Sequence, residues 1–417
     1  MQSKLHRNIV HAYTTVPMYC NRLDGAVSDF TDITWEDFKR LPVMRKEDFR
    51  TDVSRCISSN YIMDYMSGRL GKMSTSGTSG VVMDIYKTHD DYRKSMAELW
   101  LRRSRYYGIK TEDRMCYFYT AAPGVDSEHR GVHYVEINNM MGFSKRNINE
   151  ESMEVVYEMM NDFQPVWMTI QPGMMVLLLD YIKKNHKEVI KSLKYIEFTG
   201  EMVTRALKEE VKNLLGCRVA DQYGCHEMNS IAYECPNGNM HVMESNVHVE
   251  ILENDCIVED GKEGEICVTS LNNDVMPFVR YMIGDRGYIC KDVHCECGNK
   301  SPILKLTQGR SNTMIEREDG TQVNKYVLYE PIEIMNDMVN LIVQFKITQK
   351  EYNYFEIQMV LDEEVMEDAY LTQEDVVNKY MELMKENGLR DCEFEFRFVD
   401  FIMPGENNKV EWFVGME

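Results

Sequence analysis

The chain has 417 residues, 44% of them hydrophobic, enough to bury a substantial core, and a prior of about 150 residues per domain suggests two or three domains. Its 68 acidic against 47 basic side chains leave a formal net charge of -21, which repels nucleic acid and anionic membrane surfaces. No stretch approaches the roughly 18 apolar residues of a bilayer span, and MQSKLHRNIVHAYTT lacks the apolar core of a signal peptide. A cytoplasmic chain with no nucleic-acid or membrane partner is therefore expected. The twelve cysteines are expected as reduced thiols, a subset of them available to metal.

In chain order, the first distinctive run is MSTSGTSG at residues 73–80. Backbone N–H groups in a glycine-rich turn can converge on phosphate oxygens, with Ser and Thr hydroxyls as extra donors. It matches neither G-x-x-x-x-G-K-[ST] nor G-x-G-x-x-G, so a phosphate cradle and a surface linker both stand on composition alone. The short strand VVMDIY and a capped helix follow, which indicates an ordered turn. Thr88 begins T-x-x-D ahead of YRKSMAELWLRRSRYYG, an amphipathic helix that Gly108 can end. RMCYFY reads as a strand, ESMEVVYEMMNDF as a helix, VWMTI as a strand and PGMMVLLLDYIKKNH as a helix opened by proline. KYIEFTG, TRALKEEVKNLLG and CRVADQYG continue the alternation as strand, helix and strand. This rhythm predicts a largely parallel sheet.

From Asn246 to Ile289 the pattern changes to consecutive strands, NVHVEILE, EGEICVTSL and PFVRYMIG, which predict an antiparallel subdomain. Past GRSNTM lies a turn-rich stretch, then LIVQFKITQ, NYFEIQMVL, a helix capped at Thr372 and CEFEFRFVDF. The expected fold is α/β: a large N-terminal domain with mainly parallel sheets and a small antiparallel β subdomain, followed by a small mobile α+β C-terminal domain. The boundary is placed near Arg310, giving residues 1–310 and 311–417.

Five motifs in order resemble the superfamily of AMP-forming acyl and aryl ligases, and within it the phenylacetate-CoA ligase-like branch. The loop S-[ST]-G-T-[ST]-G is matched by Ser74 with Ser76, Gly77, Thr78, Ser79 and Gly80. A strand ending in G-E is matched by Gly200 and Glu201, and Y-G-x-[ST]-E by Tyr223, Gly224 and Glu227, with His226 in place of the hydroxyl. R-Y-x-x-G-D is complete in Arg280, Tyr281, Gly284 and Asp285, and the hinge G-R-[ST]-[DN] in Gly309, Arg310, Ser311 and Asn312. The amino-terminal AYTTVPMYCNRLD and WEDFKRLPVMRKEDFR resemble the entry segment of that branch.

The resemblance implies joining a carboxylate to the α-phosphate of ATP, expelling pyrophosphate, and passing the acyl group to a thiol or amine. Two anions must meet, so neutralising charge and positioning are the main tasks. By resemblance, Ser76, Thr78 and Ser79 grip the departing phosphates, Glu227 holds Mg²⁺, Tyr223 stacks on adenine and Asp285 accepts the ribose hydroxyls. Arg310 and Lys409 supply positive charge near the reacting phosphate, exchanged by rotation about Asn312. Lys409 lies in PGENNKVEW, without the glycine that the family places before this lysine, and the loop SGTSG lacks its lysine too. The acyl pocket is expected from Tyr117, Tyr119, Tyr134, Gln171 and Asp221, for an aryl or small polar acid.

Cys235 and His241 in ECPNGNMH, with Cys295 and Cys297 in HCECGNK, form a tetrahedral ligand set for structural Zn²⁺, the alternative being four reduced cytosolic side chains. The expected cofactors are thus ATP, Mg²⁺, structural Zn²⁺ and, as acceptor, coenzyme A, with a carrier-protein thiol or an amine as the other acceptors. A homodimer is the assembly to test. Two rival readings remain open: adenylylation of a non-carboxylate substrate, and a nucleotide-binding or interaction protein that has lost catalysis.

Overall fold

The computed structural model describes residues 3–20, 33–49, 52–74, 83–119, 127–145, 148, 152–200, 203, 205–308, 314–318, 322–339, 341–386, 389, 391–399, 402 and 412–416. The chain divides into two compact units. The first gathers Met1–Thr75, Met83–Lys110 and Ala220–Gly309, and the second Ser76–Val82, Thr111–Val219 and Arg310–Glu417.

In the first unit the consecutive strands form an antiparallel array. Neighbours run in the order Cys256–Ile257, Val247–Glu253, Gly264–Ser270, Tyr281–Cys290, Ile303–Gln308, Met240–Val242, Ala232–Glu234 and Arg218–Tyr223. The strand expected from PFVRYMIG begins only at Tyr281, because Pro277 has no N–H to donate and Arg280 turns the backbone at φ 48°. The helix His89–Arg102 opens with the expected capping box between Thr88 and Asp91, passes into a π-helical turn at Arg103–Tyr107 and stops at Gly108. Its core joins the amino-terminal helix Ser3–Thr15 to the sheet through Leu5, Ile9, Phe38, Phe49, Phe278 and Tyr281.

The second unit carries the strand–helix alternation. Met140–Ser144, Met115–Tyr119, Trp167–Ile170 and Tyr195–Thr199 are parallel neighbours, while Val132–Ile137 and Ser127–His129 extend the edge in antiparallel fashion. Alternation along each strand turns Cys116, Phe118, Met168, Ile170, Ile196 and Phe198 into one core. The helices Ser152–Phe163, Pro172–Lys184 and Arg205–Leu215 cover it, the second opened by proline at its first turn, where a missing N–H costs nothing.

Later in the same unit, a four-stranded sheet runs Glu393–Phe398, Tyr354–Leu361, Ile342–Glu351 and Phe413–Val414. Part of the stretch read as turn-rich is a helix, Tyr326–Val339, with Pro331 inside it. Proline in a helix interior costs roughly 3 kcal/mol, but Val327, Leu328, Ile332 and Met335 are all buried from this helix. Burial outweighs the break. Asn336 then clamps the exit, its side chain donating to and accepting from the backbone of Ile342 at 2.8 and 2.7 Å. Among the described residues no helix is long and apolar enough to cross a membrane.

Candidate functional site

The run MSTSGTSG is bracketed by a hairpin. Gly71–Ser74 pairs with Asp84–Lys87 so that Ser74 faces Asp84 and Gly71 faces Lys87. Ser74 Oγ donates to Asp84 Oδ1 at 2.7 Å, and Lys72 reaches the other oxygen at 3.1 Å. Ser74 and Asp84, on either side of the run, are therefore fixed opposite each other. Ser76, Gly77, Thr78, Ser79 and Gly80 themselves lie outside the described residues, as do Glu201, Arg310 and Lys409.

In the first unit, Tyr223, Glu227 and Asp285 come together as two bonded pairs. The Tyr223 hydroxyl donates to Asp285 Oδ2 at 2.8 Å, and the hydroxyl of buried Tyr281 donates to Glu227 Oε1 at 2.9 Å. Burial alone would raise the Glu227 pKa, but the charge of Lys46 and hydrogen bonds from its own backbone, Tyr281 and Cys225 hold it below the usual range. A buried carboxylate that stays anionic suits a hard cation. Gly224 is required by close approach: a Cβ there would stand 2.1 Å from the Asn229 carbonyl oxygen. Asp221 lies at the start of this segment, its N–H donating to Glu234 Oε2 at 2.7 Å.

Two residues of this cluster were not singled out from sequence as site residues. Tyr281 had a signal, since it belongs to R-Y-x-x-G-D. Lys87 had a weaker one, as a lone lysine closing an apolar strand; it is 5% exposed, and its Nζ donates to the His226 carbonyl at 2.9 Å. Burial pulls this lysine down to about 8, against the charges of Glu227 and Asp91. Arg280, by contrast, is an anchor within the unit. It is buried, pairs with Glu250 at 3.2 Å and donates to the carbonyls of Lys39 and Leu41.

In the second unit, Tyr117 and Tyr119 share one face of their strand, ring centroids 6.0 Å apart. Gly142 makes room for them, because a Cβ at that position would meet the Tyr117 ring at 2.4 Å. Tyr134 does not join this face. It pairs with Phe143, which pairs with Phe118, so the period of two sends it to the opposite side, against the hydrophobic core. Gln171 caps the helix Pro172–Lys184 beside Gly200, at the carboxyl ends of the parallel strands, where α/β sheets bind ligands. Among the described residues its buried Oε1 has no hydrogen-bond partner. An orphaned acceptor there fits a polar ligand.

Cys235, His241, Cys295 and Cys297 converge in the first unit, their ligand atoms all within 4.8 Å of one another. The Cys235 and Cys295 sulfurs are 3.8 Å apart, and Cys297 Sγ is 3.4 Å from His241 Nε2. Zinc–sulfur bonds of about 2.3 Å in a tetrahedron give a sulfur–sulfur edge of about 3.8 Å. His241 Nδ1 faces the Ser301 carbonyl at 2.9 Å; since a carbonyl only accepts, Nδ1 carries the hydrogen and Nε2 presents its lone pair to the cluster. Burial works against the Cys295 thiolate, yet hydrogen bonds from the Cys297 backbone and the Asn239 side chain hold it at about 6.

Residues 73–276 match the family model described as AMP-binding enzyme. The chain is 25% identical over 297 residues to phenylacetate-coenzyme A ligase of Escherichia coli (strain K12), covering 68% of this chain and 64% of that protein. It thus spans less than two thirds of that relative. It is 24% identical over 328 residues to protein CapK of Staphylococcus aureus, covering 76% of this chain and 71% of that one. Among solved structures, 2-hydroxyisobutyryl-CoA ligase in complex with 2-HIB-AMP and CoA superposes with a TM-score of 0.64 at 17% identity, over 99% of this chain and 88% of that one. At that identity the likeness concerns the fold.

Proposed function

The chain belongs to the AMP-forming acyl and aryl ligase superfamily, in its phenylacetate-CoA ligase-like branch, and from that premise we propose that it is an ATP-dependent carboxylate ligase. It would activate an aryl or small polar acid as the acyl-adenylate and pass the acyl group to the thiol of coenzyme A. The observation that carries this reading is the cluster of Tyr223, Asp285, Glu227 and Tyr281.

Each member has a task that its surroundings support. The Tyr223 ring offers a flat face for adenine, and its hydroxyl orients Asp285, whose carboxylate can accept both ribose hydroxyls. Glu227, anionic although buried and aimed by Tyr281, would hold Mg²⁺. The ion, when bound, neutralises the triphosphate charge that opposes an approaching carboxylate. Ser76, Thr78 and Ser79 would grip the departing phosphates, with Gly77 and Gly80 opening their backbone and Gly200–Glu201 beside the nucleotide. Arg310 and Lys409 would each serve one half-reaction, with residues 311–417 as the mobile lid. Tyr117, Tyr119 and Gln171 would meet the acyl group, Gln171 Oε1 being the acceptor that lacks a described partner. The four-residue cluster of Cys235, His241, Cys295 and Cys297 would hold structural Zn²⁺, since all four positions are protein ligands.

Pyrophosphate exchange into ATP, run over a panel of aryl, amino and short polar acids, tests the reading. Exchange dependent on one class of acid is the expected result, and exchange with none of them would sink it.

A further inference from the structure

Lys87 ends the strand that leaves the glycine-rich run and directly precedes Thr88, the cap of the helix His89–Arg102. A buried lysine loses most of its hydration, so it persists only where its surroundings answer the charge. Here its Nζ donates to the His226 carbonyl at 2.9 Å, the residue before Glu227. The same ammonium faces the charges of Glu227 and of Asp91. Asp91 is itself committed, since it closes the Thr88 capping box and accepts the N–H of Asp274 at 3.2 Å.

The turn that Lys87 grips is also tied from within. Met228 and Asn229 donate to the Cys225 carbonyl at 3.2 and 2.7 Å, and Gln222 Nε2 donates to the Asn229 carbonyl at 3.1 Å. These bonds fix the two sides of the turn, and Lys87 takes the carbonyl at its tip. Tyr281 then fixes one oxygen of Glu227.

We propose that Lys87 is a positioning residue for Glu227, its ammonium holding the His226 carbonyl so that the carboxylate is presented in one orientation to the metal–nucleotide; this rests on the ligase reading above. Lys87 thus places a cation behind the carboxylate that would hold the metal.

The test compares the full chain with Lys87→Met and Lys87→Arg. Three quantities are read: Mn²⁺ affinity by electron paramagnetic resonance with a non-hydrolysable ATP analogue, the Mg²⁺ concentration for half-maximal pyrophosphate exchange, and the KM for the acid. Lys87→Met should weaken Mn²⁺ binding by about tenfold or more and raise the Mg²⁺ requirement in step, the usual cost of losing a partner behind a metal ligand. The acid KM should stay within about twofold, and Lys87→Arg should recover most of the loss. Wild-type Mn²⁺ affinity in a folded Lys87→Met protein overturns the proposal, as does equal loss of metal affinity and acid KM. Should Lys87→Met not fold, Lys87→Gln, which keeps a donor but no charge, makes the same comparison. A wild-type chain with neither exchange nor Mn²⁺–nucleotide binding would instead overturn the ligase reading, and this proposal with it.

Discussion

His248 stands against Trp35 and Phe38, ring centroids 5.4 and 5.6 Å away, and its surroundings make it a sensor of acid. Burial, with the charges of Lys291 and Arg280, pulls the imidazole from its ordinary 6.5 down to about 4. Between those values the unfolded chain binds a proton that the folded chain refuses, so stability falls as pH drops through this window and levels off below it. The loss should be on the order of 3 kcal/mol, and His248→Gln should flatten the profile. Urea unfolding at a series of pH values from 7 to 4 reads both. Equal pH dependence in the two proteins would show that other groups govern the acid limb.

At the scale of the element, the clearest unit is the pair of turns around Cys235 and Cys295. The hairpin Ala232–Glu234 to Met240–Val242 brings Cys235 and His241, and the loop before Ile303–Gln308 brings Cys295 and Cys297. Neither turn buries much apolar surface of its own, so a shared ion would supply what packing does not. Purified protein should contain one zinc per chain by elemental analysis, and a strong chelator or Cys295→Ser should lower Tm by several degrees. Metal-free protein with an unchanged Tm would leave four reduced side chains.

How far the elements were legible depended on whether their signals were local. The capping box at Thr88, Pro172 at a helix start and the alternation of the parallel strands are local, and each element formed where its residues pointed. The helix Tyr326–Val339, within the stretch read as turn-rich, was not legible, because the burial of Val327, Leu328 and Ile332 comes from distant partners. Tyr134 misled for a related reason: its distance in sequence from Tyr117 carries no information on which face it takes, and only the register with Phe143 decides. The motif residues Tyr223, Glu227 and Asp285 were named from their order in the chain, and the structure adds the two hydroxyls that aim the carboxylates. Lys87 was missed because its carbonyl partner, His226, lies 139 residues away.

For the whole molecule, the proposed assignment of Arg310 and Lys409 to separate half-reactions gives a kinetic signature. Lys409→Ala should slow adenylate formation by about 100-fold or more, while transfer from supplied acyl-adenylate to coenzyme A changes little. Rapid-quench measurement of each half-reaction distinguishes this from a lysine that only stabilises residues 311–417, whose loss would slow both. On the proposed ligase reading, the net charge of -21 sets a further demand, since ATP and an organic acid would enter against a repulsive field. Mg²⁺ on the triphosphate lessens that cost before the site is reached.

The anchoring of the amino-terminal segment determines the order in which the first unit can be made. Asn8 donates to the Ser270 carbonyl, Tyr19 to that of Pro277, and Arg280 to those of Lys39 and Leu41, at separations of 262, 258, 241 and 239 residues. A chain that emerges from the ribosome amino end first has no such partners until the segment from Ser270 to Arg280 has been synthesised. Until then Leu5, Ile9 and Phe38, fully buried in the finished protein, lack their final cover. This segment, made well before its partners, is thus secured late, and for the time between it is a part of the nascent chain that a chaperone would find exposed.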